Sequence, residues 1–92
     1  MKAEVYDTYV TKKDGTLMHF DIIVPTATSY ETVLTFGANY LQHVGQSGQQ
    51  MESSHCRFCH IEEATPEMEA AFRAEGFFIM PMEGCPVLVS NK

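Results

Sequence analysis

"EVYDTYVTKKDGTLMHFDIIV", Glu4 to Val24, is the stretch that decides the fold. From Glu4 to Thr11 the side chains alternate, with Val5, Asp7, Tyr9 and Thr11 on one side and Tyr6, Thr8 and Val10 on the other. β-Branched and aromatic residues at period two make a strand. In "KKDG", Lys12 to Gly15, the Asp14-Gly15 pair signals a hairpin turn, because glycine tolerates positive φ. A second strand is expected from about Thr16 to Val24, stopped by Pro25, which has no amide to offer a ladder. The chain therefore opens with a β-hairpin.

Beyond the hairpin the period changes. Thr28-Ser29-Tyr30-Glu31 fits a capping box, and Tyr30, Val33, Leu34, Gly37, Leu41 and Val44 recur at helical spacing. A helix is predicted from Ser29 to Val44, with Gly45 as its stop. "GQSGQQ", Gly45 to Gln50, reads as a loop leading into a short extended segment at Met51 to His55. Thr65-Pro66-Glu67 starts a second helix, with Thr as N-cap, Pro in the first turn, and Glu62, Glu63, Glu67 and Glu69 complementing its dipole. Ala64, Met68, Ala71 and Phe72 would form its inner face, and Gly76 would end it. "FFIMPM", Phe77 to Met82, is the most apolar run and reads as a central or buried strand ending near Pro81; Val87 to Val89 would add a short terminal strand. The expected fold class is α+β, a single domain over residues 1–92 in the order β-β-α-β-α-β, with the N-terminal hairpin in a mixed sheet and two helices packed on one face.

Composition narrows the function classes. Ninety-two residues, 45% hydrophobic and 20% charged, suffice for a self-supporting core without obligatory staples. The net charge of -6 and the scattering of Lys2, Lys12, Lys13, Arg57, Arg73 and Lys92 oppose a nucleic-acid or anionic membrane surface. No apolar run is long enough to span a bilayer, and the start carries early acids and no apolar signal core, which predicts a cytosolic location. Three cysteines in such a compartment are expected as free thiols, and the chain as a monomer or small homo-oligomer.

The stretches "VYDTYV" (Val5 to Val10), "MHFDIIVP" (Met18 to Pro25), "CRFCHIEEA" (Cys56 to Ala64) and "GFFIMPMEGC" (Gly76 to Cys85) resemble, in the same order, the bacterial family called domain of unknown function 2024. The resemblance covers nearly the whole chain. It implies a small α+β domain of bacterial, cytosolic origin, and it implies no activity, since the family is uncharacterised.

The chemistry-bearing motif is Cys-x-x-Cys-His at Cys56, Cys59 and His60. In a tight turn, Cys56 and Cys59 would aim two thiolates at one zinc ion, with Cys85 as a third ligand and His60, His55 or His19 as a fourth. A second closely spaced ligand pair is missing, and on an extended strand residues three apart point to opposite faces. "CRFCHI" also lacks the glycine of a metal-binding knuckle, so half-buried inert thiols are the competing reading. A thiol-dependent redox enzyme would use Cys56 to attack and Cys59 to resolve, but the second helix starts at Thr65, too far from Cys56 for its dipole to activate that thiol. Haem attachment, which the pattern also matches, needs an export signal and ranks last.

Other residues carry less. His19 reads as a hydrogen-bonded strand histidine rather than a ligand, and Asp7 and Asp21 as strand acids that would do acid-base work only if the hairpin register brought them together. The expectation is a small binding or regulatory module with a Cys/His centre at Cys56, Cys59 and His60, binding zinc with Cys85, for an unidentified protein or small-molecule partner. The redox enzyme and a metal-free interaction domain with inert thiols are the alternatives.

Overall fold

A computed structural model describes residues 1–51 and 56–86. Strand β1, Lys2–Thr11, and strand β2, Leu17–Pro25, form the expected hairpin, with Thr11 opposite Leu17 at its closed end. Asp14 stabilises the turn: its Oδ1 accepts from the Thr16 amide at 2.9 Å and the Thr16 hydroxyl at 2.7 Å, and these bonds hold its carboxyl below the usual range. Gly15 takes the left-handed φ of 90° that the turn requires.

Helix α1 spans Tyr30–His43. Its N-cap is Ser29, whose Oγ accepts from the Thr32 amide at 3.1 Å, one residue later than a box headed by Thr28 would place it. Thr28 instead donates its hydroxyl to the Pro25 carbonyl at 2.7 Å. Strand β3, Cys56–Glu63, is followed by helix α2, Pro66–Glu75, with Thr65 as N-cap and Gly76 ending it at φ 91°. Glu62 and Glu63 belong to β3, opposite Ala3 and Lys2, and not to the helix start assigned from their charge. Strand β4, Phe78–Pro81, closes the order β-β-α-β-α-β.

The sheet order is β3-β1-β2-β4, and every neighbouring pair is antiparallel. The expected mixed sheet is thus corrected. Strands β2 and β3 do run in the same direction, but the α1 connection carries the chain past β1, so β1 lies between them. The apolar run at β4 is an edge strand and not a central one, with Met80 39% exposed.

The two helices also do not share a face. Even-numbered strand residues Tyr6, Val10, Met18, Phe20, Ile22 and Val24 pack with Val33, Tyr40 and Leu41 of α1. Odd-numbered Ala3, Val5 and Ile23 pack with Ala64 and with Met68 of α2. Alternation along a strand makes these opposite faces, so each helix covers one. Met51 packs against the α1 side and lies in no strand; the rest of the extended segment expected there, and the terminal strand at Val87 to Val89, fall outside the described residues. Because α2 covers only the end of its face marked by Val5 and Ile23, the residues further along that face stand open, and the candidate site lies there.

Candidate functional site

One row of the sheet runs across all four strands: Arg57 of β3 opposite Asp7 of β1, Asp7 opposite Asp21 of β2, Asp21 opposite Met80 of β4. In the next row out from α2, Tyr9 is opposite His19. Odd positions on β1 and β2 point the same way, so Asp7, Tyr9, His19 and Asp21 converge on the uncovered half of the face.

His19 is the centre. Its Nε2 hydrogen-bonds the Asp7 carboxylate and lies 4.0 Å from Asp21 Oδ1, while Nδ1 lies 3.9 Å from Glu83 Oε1. The Tyr9 ring stacks on the imidazole, centroids 4.2 Å apart and planes within 8°. Its backbone is clamped as well: the His19 amide donates to the Glu83 carbonyl at 2.8 Å, and its carbonyl accepts from the Met82 amide at 2.9 Å and the Cys85 thiol at 3.1 Å. His19 and Asp21 side chains are each 15% exposed and Asp7 37%, a half-buried group with one open side.

Burial first, then the neighbouring Asp7 charge, pushes the Asp21 carboxyl above its ordinary range, with His19 and His60 offsetting part of the rise. Charge on Asp7 also raises the Tyr9 phenol. One ligand atom from each of Asp7, His19 and Asp21 lies within 4.8 Å of the others. Ligands bonded to one zinc-sized cation at about 2.0–2.2 Å stand roughly 3.3–3.6 Å apart. A bound ion would therefore replace the proton between His19 Nε2 and Asp7, open that pair and draw Asp21 inward from 4.0 Å, adjustments within the rotamer freedom of two aspartates.

The Cys-x-x-Cys-His motif lies differently. Cys56 is 1% exposed on the α1 face, where its Sγ accepts from the Thr8 hydroxyl at 3.4 Å. Burial pushes its thiol up, opposite to the shift an attacking cysteine needs. Cys59 is exposed at a β-bulge: Val5 pairs with His60 and Tyr6 with Phe58, leaving Cys59 with no partner across the ladder. His60 Nδ1 is 3.3 Å from Cys59 Sγ, and its Nε2 is 2.8 Å from a Glu62 carboxylate oxygen. Cys85 is half-buried beyond β2, so β1 and β2 separate it from Cys56. Among the described residues, Asp7, His19 and Asp21 are the group that gathers three potential ligands; Cys56, Cys59, His60 and Cys85 are not brought together, and His55 lies outside the described residues.

A family model described as a domain of unknown function, DUF2024, matches residues 1–82. The chain belongs to this family. Among solved structures, this DUF2024 domain is similar to the NMR structure of protein NE1680 from Nitrosomonas europaea, a structural genomics target. The two share 41% identity and a TM-score of 0.81, over 92% of this chain and 99% of that one. No curated protein matches it. No helix among the described residues is long and apolar enough to cross a membrane.

Register is the signal that finds the DUF2024 cluster. His19 and Asp21 are two apart on one strand, and Thr11 opposite Leu17 brings Asp7 level with Asp21. Residue spacing along the chain does not reveal it, because the ligands come from two strands.

Proposed function

We infer that this domain is a small binding module whose centre is Asp7, His19 and Asp21, and that the centre holds a divalent cation. The observation carrying this reading is the convergence of two carboxylates and one imidazole, ligand atoms within 4.8 Å of one another, on the uncovered half of the sheet. Two like-charged side chains opposite each other destabilise a sheet, and a divalent cation between them converts that repulsion into coordination. Oxygen and imidazole donors suit zinc or manganese. The zinc expectation thus moves from the cysteine motif to the hairpin. Three protein ligands leave coordination positions open, the mark of a site that meets a second ligand rather than one that only staples a fold.

The test is thermal unfolding of the metal-stripped protein titrated with Mn(II) and with Zn(II), beside isothermal calorimetry. A cation bound only by the folded state stabilises it by about 2.7 kcal/mol at a hundredfold excess over Kd. That is roughly 10–20 °C for a domain of this size. Asp7→Asn and Asp21→Asn should each abolish the shift. A wild-type melting temperature indifferent to both metals would sink the reading. The redox alternative loses support from the burial of Cys56, whose raised thiol is a poor nucleophile near neutral pH.

A further inference from the structure

We propose that the cation at Asp7, His19 and Asp21 presents its open positions to the phosphate group of a small molecule, and that Arg57 is the second anchor of that phosphate. The proposal rests on the cation reading above and adds the ligand class.

Arg57 stands directly opposite Asp7 on the neighbouring strand, and directly opposed residues share a face with Cβ atoms about 4.5–5.5 Å apart. It is exposed and forms no ion pair with any described residue, although it stands in one row with two aspartates. Asp7 already accepts from His19, and Asp21 lies one strand further away.

Geometry then sets the ligand class. Two aspartates balance a divalent cation and Glu83, whose carboxylate lies 3.9 Å from His19 Nδ1, offsets Arg57, so what singles out Arg57 is its place directly opposite Asp7, beside an incompletely filled coordination sphere. A metal ion and a planar guanidinium side by side match a tetrahedral oxyanion: one phosphate oxygen ligates the cation while two others accept the parallel N–H bonds of the fork. A carboxylate has only two oxygens and cannot satisfy both partners as fully. Glu83, which approaches His19 from the β4 side, and the net charge of -6 oppose a polyanion, so the ligand is a single phosphate group and not a nucleic acid strand. The cluster is open to solvent on this side: Tyr9 and Met80 at its borders are 37% and 39% exposed, and α2 packs on Ala3, Val5 and Ile23 instead.

The experiment titrates the full chain first with Mn(II), then, at saturating Mn(II), with inorganic phosphate and separately with glycerol phosphate, following water-proton relaxation of the bound metal. Phosphate should bind in the presence of Mn(II) and not to the metal-stripped protein. Tighter binding of glycerol phosphate identifies a monoester site, and equal or tighter binding of inorganic phosphate identifies a site for the free ion; both support the proposal. Arg57→Ala should weaken phosphate about tenfold or more, the worth of a charge-assisted bidentate contact, and leave Mn(II) affinity within about twofold. Arg57→Lys should recover only part of the loss, because its point charge lacks the fork. If Mn(II) itself fails to bind the wild type, the cation reading falls and this inference with it. If Mn(II) binds normally but phosphate affinity is the same in wild type, Arg57→Ala and Arg57→Lys, the phosphate inference alone is overturned.

Discussion

Asp7 and Asp21 stand directly opposite one another across the β1–β2 hairpin, with the His19 imidazole bonded to the first and 4.0 Å from the second. Without a cation this arrangement opposes folding, since Asp21 is desolvated and its charge faces another. A carboxyl whose folded pKa is raised stabilises the fold when protonated. That contribution is complete below its ordinary value of 3.8 and is lost as pH rises through the raised folded value. Asp21→Asn should therefore stabilise the metal-stripped protein at pH 7 and raise its melting temperature. The gain should shrink as pH is lowered toward the aspartate range. Thermal scans of both proteins at several pH values check it, and a variant less stable than wild type at pH 7 would contradict the account.

How much of this was legible in the sequence turns on a single residue of register. A two-residue turn at Asp14-Gly15 pairs Lys13 with Thr16 and sets Asp7 opposite Ile22, which leaves the two aspartates on different faces. The strands close instead on Thr11 and Leu17, and Asp7 meets Asp21. Turn composition marked the hairpin but not its register. The helices were legible from period and caps, because those signals are local. Their distribution over two faces was not, because apolar residues at both odd and even strand positions admit a helix on either side. The Cys-x-x-Cys-His spacing attracts a chelation reading that requires a turn, whereas the chain there is an extended strand with a bulge.

Gly84 holds the β4 end of the site in place. It adopts φ 72°, and a Cβ there would stand 2.1 Å from the Leu17 carbonyl oxygen, which is backbone and has nowhere to go. Gly84→Ala should therefore cost about 1–3 kcal/mol and displace the segment whose backbone brackets His19. The expected signature is a lower urea midpoint with faster hydrogen exchange at the His19 amide, which normally bonds the Glu83 carbonyl at 2.8 Å. Unchanged exchange at that amide would show that the segment does not depend on the glycine.

The three cysteines should separate by environment. Cys59 is exposed, Cys85 half-buried and Cys56 buried with a raised thiol. Under native conditions a thiol reagent should modify Cys59 first, Cys85 more slowly, and Cys56 only as the domain unfolds. Cys59→Ser should remove the fast phase alone. Rapid loss of Cys56 and Cys59 together on mild oxidation, with one disulfide formed, would restore the redox reading.

Tyr9 acts on the site through His19. Its ring lies parallel to the imidazole at 4.2 Å and limits the ring's rotation, so that Nε2 stays directed at the aspartates. A ligand held in its binding rotamer binds metal more tightly than one that must be ordered at the moment of binding. Tyr9→Phe keeps the stack and should leave Mn(II) affinity within about twofold, whereas Tyr9→Ala should weaken it by about tenfold. Because Tyr9 is 37% exposed and outside both core clusters, Tyr9→Ala should fold, and its loss should appear in metal affinity rather than in stability of the metal-stripped protein. Calorimetry and urea unfolding on the same two variants separate these effects. Equal metal affinity in Tyr9→Phe and Tyr9→Ala would mean that the clamp on the His19 backbone orients the imidazole without help from the stack.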